Sequence, residues 1–233
     1  ERVNSYYMYR TDGLFKSDAD AQAWMDKYAG KPGYPFGTSE FKGGDVIVKD
    51  INGDGQITND DRDFCGSGNP SWTYGLNLNV GWKGFDLSML FTGAAGGRLY
   101  LTDDGIGYFK GDDSHPATAW LDAWTPDNLD AKMPRIVYDK NSPSMSYTTD
   151  FFLQNTSYLR MKNLQLGYTF KQAWLKNLGV QNLRVYYSAE NLFTIHNMLV
   201  NFDPETPATA GQGERGSNYP LSQIHSFGVN LTF

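Results

Sequence analysis

The chain has 233 residues, 40% hydrophobic and 15% aromatic, with 25 glycines and 10 prolines, a composition that can bury a sizeable core and does not read as disordered. Its mean hydropathy is −0.51 and no apolar run approaches the roughly 18 residues of a membrane-spanning helix, so a helical membrane protein is excluded. A net charge of −6 without clustered Lys and Arg argues against nucleic acid as a partner, because phosphate binding depends on such clusters. Cys65 stands alone, so neither an intrachain disulfide nor a cysteine metal cluster can form. The chain opens at Glu1 with no Met and no charged-then-apolar leader, and processing or truncation is expected to have removed what precedes it.

The first candidate strand, a weak one, is YYMYR within Ser5 to Phe15. A long connection follows, about residues 16–71, and it carries the sharpest local motif of the chain, Asp50 to Asp61. Oxygen donors stand at loop positions 1, 3, 5, 7, 9 and 12: Asp50, Asn52, Asp54, Gln56 through its backbone carbonyl, Thr58 and Asp61. A hard cation takes about six to eight oxygens, Gly55 permits the sharp turn, and Ile57 can anchor the loop to apolar neighbours, so a structural Ca2+ is expected here. Position 12 is Asp rather than Glu and no helices are legible on the flanks, so this is not an EF-hand. The competing reading is an Asx-rich turn closed by its own side-chain to backbone bonds.

From Trp72 the chain alternates with period two. Trp72, Tyr74, Leu76, Leu78 and Val80 face Thr73, Gly75, Asn77 and Asn79, and after the tight connection 81–84 the pattern resumes with Phe85, Leu87, Met89 and Phe91 against Asp86, Ser88, Leu90 and Thr92. The two segments read as a hairpin. The next connection, about 94–157, holds Tyr100, Asp103, Asp104, Tyr108, Phe109, Asp112, Asp113, Trp120 and Trp124, a mixture able to stack on sugar rings and bind their hydroxyls. Tyr108, Trp120 and Trp124 are the candidate substrate contacts, although the i, i+4 spacing of the two tryptophans also suits packing of the loop on itself.

In Tyr158 to Phe170 the apolar parity runs through Leu159 and Met161, then through Leu164, Leu166, Tyr168 and Phe170, which predicts a β-bulge near Lys162 and Asn163. After a short connection, 171–182, Leu183, Val185, Tyr187 and Ala189 form an apolar face opposite Arg184, Tyr186, Ser188 and Glu190. A long connection, 191–224, leads to the last segment, where His225, Phe227, Val229, Leu231 and Phe233 alternate with Ser226, Gly228, Asn230 and Thr232.

Connections that alternate long and short, between strands of roughly ten residues, define a transmembrane antiparallel β-barrel with short turns on one side and long loops outside. A soluble sandwich would rarely carry loops of about sixty residues. About six strands cannot close around a polar lumen, since closure begins near eight strands and plugged transporters use about 22, so the expected fold is all-β and this chain alone is not expected to form a closed barrel. Catalytic constellations are absent from the sequence: His115, His196 and His225 lie in different segments, and neither G-x-S-x-G, H-E-x-x-H nor a phosphate loop occurs, so the chain is not expected to be an enzyme.

The ordered series KDINGDGQITNDDR, GNPSWTYGLNLNVGWKGFDLSMLFTGAAG, WTPDN, NTSYLRMKNLQLGYTF, LRVYYSAENLFT and HSFGVNLTF resembles the C-terminal part of SusC/RagA-type TonB-dependent transporters of Bacteroidetes, over about residues 43–233. The resemblance implies an outer-membrane barrel in contact with lipid that imports a large nutrient, an oligosaccharide or in some members a peptide. It further implies a SusD-like surface lipoprotein as a lid and the TonB–ExbB–ExbD machinery acting through an N-terminal plug outside this chain. Asn77, Asn79, Ser226 and Asn230 would line the route, and the final Phe227, Val229, Leu231 and Phe233 look like the aromatic-ended signal for barrel assembly. The alternative is a calcium-stabilised surface module that binds carbohydrate without transport.

Overall fold

The structure, a computed structural model, describes residues 3–28, 40–101, 116–137, 143–146, 148–171, 175, 179–199, 203–205 and 221–233. In chain order the strands are β1 (Ser5–Tyr9), β2 (Thr11–Leu14), β3 (Val46–Val48), β4 (Arg62–Ser67), β5 (Trp72–Trp82), β6 (Phe85–Ala95), β7 (Arg98–Tyr100), β8 (Leu153–Asn155), β9 (Tyr158–Phe170), β10 (Asn182–His196) and β11 (Ile224–Thr232). One helix of eleven residues, α1 (Asp18–Tyr28), lies between β2 and β3.

Five long strands form one antiparallel sheet in the order β11-β10-β9-β6-β5, and its register explains why the sequence alternates. Val80, Leu87, Leu166, Tyr187 and Phe227 sit opposite one another across all five strands. One residue along each strand, Asn79, Ser88, Gln165, Ser188 and Ser226 make an equally continuous row on the other face. A slip of one residue in any pair would mix these rows, so the pattern itself holds the register. Among the described residues no second layer covers the apolar face: Trp72, Val80 and Phe227 are 74%, 58% and 83% exposed. Water would not tolerate so continuous a greasy surface on a monomer, whereas the hydrocarbon of a bilayer matches it.

The strands are 9 to 15 residues long, enough to cross a bilayer at the usual tilt. At one end β5 and β6 are joined by Lys83 and Gly84 alone, with φ of 48° and 94°. Positive φ at both central residues is the type I′ hairpin whose twist matches the strands. The hairpin is thus tighter than the four-residue connection expected from sequence. Around this end Phe85 and Tyr168 rings lie 4.5 Å apart, Tyr168 and Phe170 4.7 Å apart, and the Lys83 ammonium stands 4.9 Å over the Trp82 ring. Aromatic and lysine side chains together mark a membrane–water interface. The expected bulge is present: Lys162 is skipped in the pairing of β9 with both β6 and β10.

The closed cores lie beyond the opposite end of the wall, in the long connections. Small two-stranded sheets, β1 with β4, β2 with β3 and β7 with β8, carry clusters of buried side chains. The weak N-terminal strand belongs here and not to the wall, because Tyr6, Met8 and Tyr9 are buried between connections. The wall sheet therefore has five of the expected strands. Helix α1 was not foreseen, although Ser17 and Asp20 signal it: the Asp20 amide donates to Ser17 Oγ at 3.2 Å, an N-cap followed three residues later by an acid. Its Ala21 and Tyr28 pack with Phe15, Phe41 and Val48.

The two faces differ in what they tolerate. Met89 pairs with Leu78 and Leu164 on the apolar face, while Ser88 lies on the polar one. In the full parent protein, Met89→Arg is expected to lower barrel stability by about 2–4 kcal/mol, and Ser88→Arg by far less. Urea titration followed by heat-modifiable electrophoretic migration reads both, and equal effects would contradict the face assignment.

Candidate functional site

The Asp50–Asp61 loop folds as a ladder of side-chain to backbone bonds. Asp50 accepts from the amides of Gly53 (2.7 Å) and Gly55 (2.9 Å), Asn52 from Asp54 (2.9 Å) and Asp54 from Gln56 (2.7 Å). Gly53 and Gly55 hold φ of 74° and 77°, which side chains rarely adopt. Ile57 is fully buried among Tyr9, Phe15 and Phe41, the anchor role expected of it. Thr58 then caps a 3-10 turn, Asn59–Asp61, and the buried Asp61 carboxylate accepts from the amides of Thr58 (2.7 Å) and Ile51 (2.9 Å). The donor types suit a hard cation, and a carboxylate that caps amides keeps further lone pairs. Among the described residues, however, no three His, Cys, Asp or Glu side chains converge as a cage.

Of the candidate substrate contacts, Trp120 is a core side chain, buried with Leu99, Leu101, Met133 and Phe152. Stacking of a ligand on it would require this cluster to open. The Trp124 ring lies against the backbone of Gly43 and Gly44, so closely that a Cβ on Gly43 would stand 2.8 Å from it. Trp120 thus packs mainly within its own connection, whereas Trp124 packs on Gly43 and Gly44 of the preceding long connection and not on its own loop. Tyr108 lies outside the described residues.

On the inner face, Asn79 donates to Asn77 at 3.1 Å along β5, and Ser226 pairs with Ser188. Towards the short-turn end, Arg184 binds Asp86 across an intervening strand, Nε to Oδ1 at 3.0 Å. The two meet above Gly167, where a Cβ would stand 2.6 Å from the guanidinium and 2.7 Å from the carboxylate. This pair was not anticipated, because its members are 98 residues apart and only the register brings them together. The facing glycine is the signal that could have found it. On the apolar face His225 Nδ1 and Tyr187 Oη are 2.7 Å apart, so the two polar tips satisfy each other. Phe227, Val229 and Leu231 occupy the apolar register of β11, and Phe233 follows it as an exposed aromatic terminus.

Electrostatics tie the outer connections together. Arg10 bridges Asp63 (3.0 Å) and Asp150 (3.3 Å), and Asp150 also accepts from the amide and hydroxyl of Thr11 at 3.0 and 2.7 Å. The hydrogen bond from Arg10 holds the Asp63 carboxyl below the usual carboxylate range. Burial pushes the nearby Cys65 thiol up, against the opposing pull of Arg10.

No protein-family model matches the chain. Among curated proteins it is similar to TonB-dependent receptor P3 of Formosa agariphila, 26% identical over 248 residues that take in all of this chain and 22% of that protein. It is similar also to TonB-dependent receptor SusC of Bacteroides thetaiotaomicron, 25% identical, across 99% of this chain and 22% of that one. A solved structure described as the RagAB peptide transporter superposes with a TM-score of 0.64 at 25% identity, over 98% of this chain and 23% of that chain. The chain thus spans less than a quarter of the length of the proteins it matches.

The raised thiol of Cys65 makes a prediction with a definite sign. Its contribution to stability is complete below the ordinary thiol range and is lost as pH rises through the folded value. At pH 8, alkylation of Cys65 in the folded parent protein is expected to run at least about tenfold slower than in urea, as read by peptide mass spectrometry. Equal rates would show an accessible, ionised thiol.

Proposed function

Since the chain belongs to the SusC/RagA family of TonB-dependent outer-membrane receptors, we propose that it is the C-terminal part of the barrel of a transporter that imports an oligosaccharide. The plug would lie outside this chain, TonB–ExbB–ExbD would act on that plug, and a SusD-like lipoprotein would sit over the long-loop end. The observation that carries the reading is the one-layer wall with an unbroken polar row inside and an unbroken apolar row outside. Such a wall separates lipid from a wet route and performs no bond chemistry. Asn77, Asn79, Ser226 and Asn230 on its polar face offer amides and hydroxyls that exchange hydrogen bonds with a passing hydrated solute.

The oligosaccharide is supported by the acidic and aromatic sequence of the connection 94–157, in which Trp120 and Trp124 themselves serve packing. A second reading, a peptide, is favoured by the solved neighbours, which are described as a peptide transporter and importer. Deletion of the gene is expected to abolish growth on a single polysaccharide as carbon source and to spare growth on peptides, with the same loss on deletion of TonB. The reverse pattern would establish the peptide. The parent polypeptide, detected in the outer-membrane fraction by its peptide 163–170, should have a mass several times 26.2 kDa. A soluble protein near 26.2 kDa would overturn import and favour the calcium-stabilised binding module.

We propose also that the Asp50–Asp61 loop takes Ca2+ in a structural role, through Asp50, Asn52, Asp54, the Gln56 carbonyl, Thr58 and Asp61. Donor spacing and the buried Ile57 support this, since a loop already closed by its amides has little ordering left to lose on binding. Calcium bound per parent molecule, measured by isothermal titration and elemental analysis, is expected to fall by one in the double variant Asp50→Ala and Asp54→Ala. Unchanged stoichiometry would leave the loop as a self-capped turn.

A further inference from the structure

Independently of what is imported, and resting only on the long-loop end of the wall facing outward, we infer that Arg160 is a positioning residue that pins the start of the last outer connection to the inner wall. Arg160 is 2% exposed near the outer end of β9, opposite Thr92 on β6 and Thr194 on β10. Its three donor nitrogens are all engaged: Nε with Thr194 Oγ1 at 2.8 Å, Nη1 with Glu205 Oε2 at 2.7 Å and Nη2 with Asp203 Oδ1 at 2.8 Å. Glu205 accepts with its other oxygen from the Tyr158 hydroxyl at 2.6 Å, and its own amide donates to Asp203 Oδ1 at 2.9 Å. Lys162 adds a fourth charge 3.6 Å from Glu205. Two cations and two carboxylates thus close the segment 203–205 onto the wall.

The bulge explains how Arg160 comes to be there. Asn163 lies on the polar face, in register with Leu90 and Glu190, so strict alternation from it would turn residue 160 towards lipid. Skipping Lys162 reverses the parity and brings Arg160 inside, and the same step leaves Lys162 out of the ladder with its ammonium near Glu205. A planar guanidinium can hold two carboxylates and a hydroxyl at once, which an ammonium cannot do in fixed geometry. A separate apolar anchor precedes it: Met198 is buried with Leu99, Trp120 and Phe152, and the Leu199 amide donates to Gln154 at 2.8 Å. The connection leaving β10 is therefore tacked first to the outer core and then, by charge, to the inner side of the wall. Residues 203–205 stand at the wet mouth and not over lipid.

Hydrogen–deuterium exchange on the full parent transporter in detergent tests this without reference to any substrate. In Arg160→Gln the amides of residues 203–205 should exchange about tenfold faster or more, while peptides 163–170 and 182–190 keep their protection and the barrel keeps its heat-modifiable migration. Arg160→Lys, which retains charge without the fork, should fall between. The double variant Asp203→Asn and Glu205→Gln should reproduce the effect, and adding Arg160→Gln to it should add little. Unchanged exchange at 203–205 in a folded barrel would overturn the pin, and so would a loss of protection spread evenly over β9 and β10, which would make Arg160 a general wall residue. Should Arg160→Gln fail to insert, the double variant decides alone, because it alters no wall residue. Uptake is not read, so this inference and the import reading fail separately.

Discussion

A backbone that crosses hydrocarbon has no water to satisfy its N–H and C=O groups, so each must find a partner within the protein. In this chain that demand is met by lateral pairing of five long strands, and every other feature of the wall follows from it. Lateral pairing produces a sheet one layer thick. A sheet one layer thick exposes both faces, and the two faces then meet different solvents. The period-two sequence satisfies both, with apolar rows for lipid and hydroxyl, amide and glycine rows for the wet interior. Among the described residues no strand pairs with the outer sides of β5 and β11, which suits a piece of a longer barrel wall.

The end of the wall opposite the tight hairpin departs from that regularity. The connections there build their own buried clusters, and they do so with the ordinary means of soluble proteins: a capped helix, a self-bonded loop, and ion pairs at Arg10 and Arg135. Fully buried Asp45 illustrates the economy of these contacts, since it is bound by Arg135 at 2.9 Å, by the Ser144 hydroxyl at 2.9 Å and by the Lys42 amide at 2.9 Å. An unpaired carboxylate in that place would cost several kcal/mol, of order 3–5. Such a network ties the described parts of the first two outer connections to one another.

Charges on the inner face sit where glycine or a bulge makes room. Arg184 and Asp86 meet above Gly167, and Arg160 turns inward only because Lys162 is skipped. The first pair lies towards the short-turn end and the second cluster towards the mouth.

The five wall strands, their faces and the slip near Lys162 were legible in the sequence, because side-chain alternation along a strand is a local property that lipid reinforces; the short strands of the outer connections, which lack that alternation, were not. The calcium-like spacing of Asp50 to Asp61 was legible for the same reason, being confined to twelve consecutive residues. Only the tertiary structure decided that YYMYR belongs to the outer core and not to the wall, that Trp120 is buried, and that Arg160 reaches Asp203 and Glu205 while Arg184 reaches Asp86. The ion pairs depend on residues 43, 45 and 98 positions apart being brought side by side, and the other outcomes on contacts between separate elements. Alternation reports which face a residue occupies; it carries no information on which distant residue shares that face, because register between strands is set by the whole sheet at once.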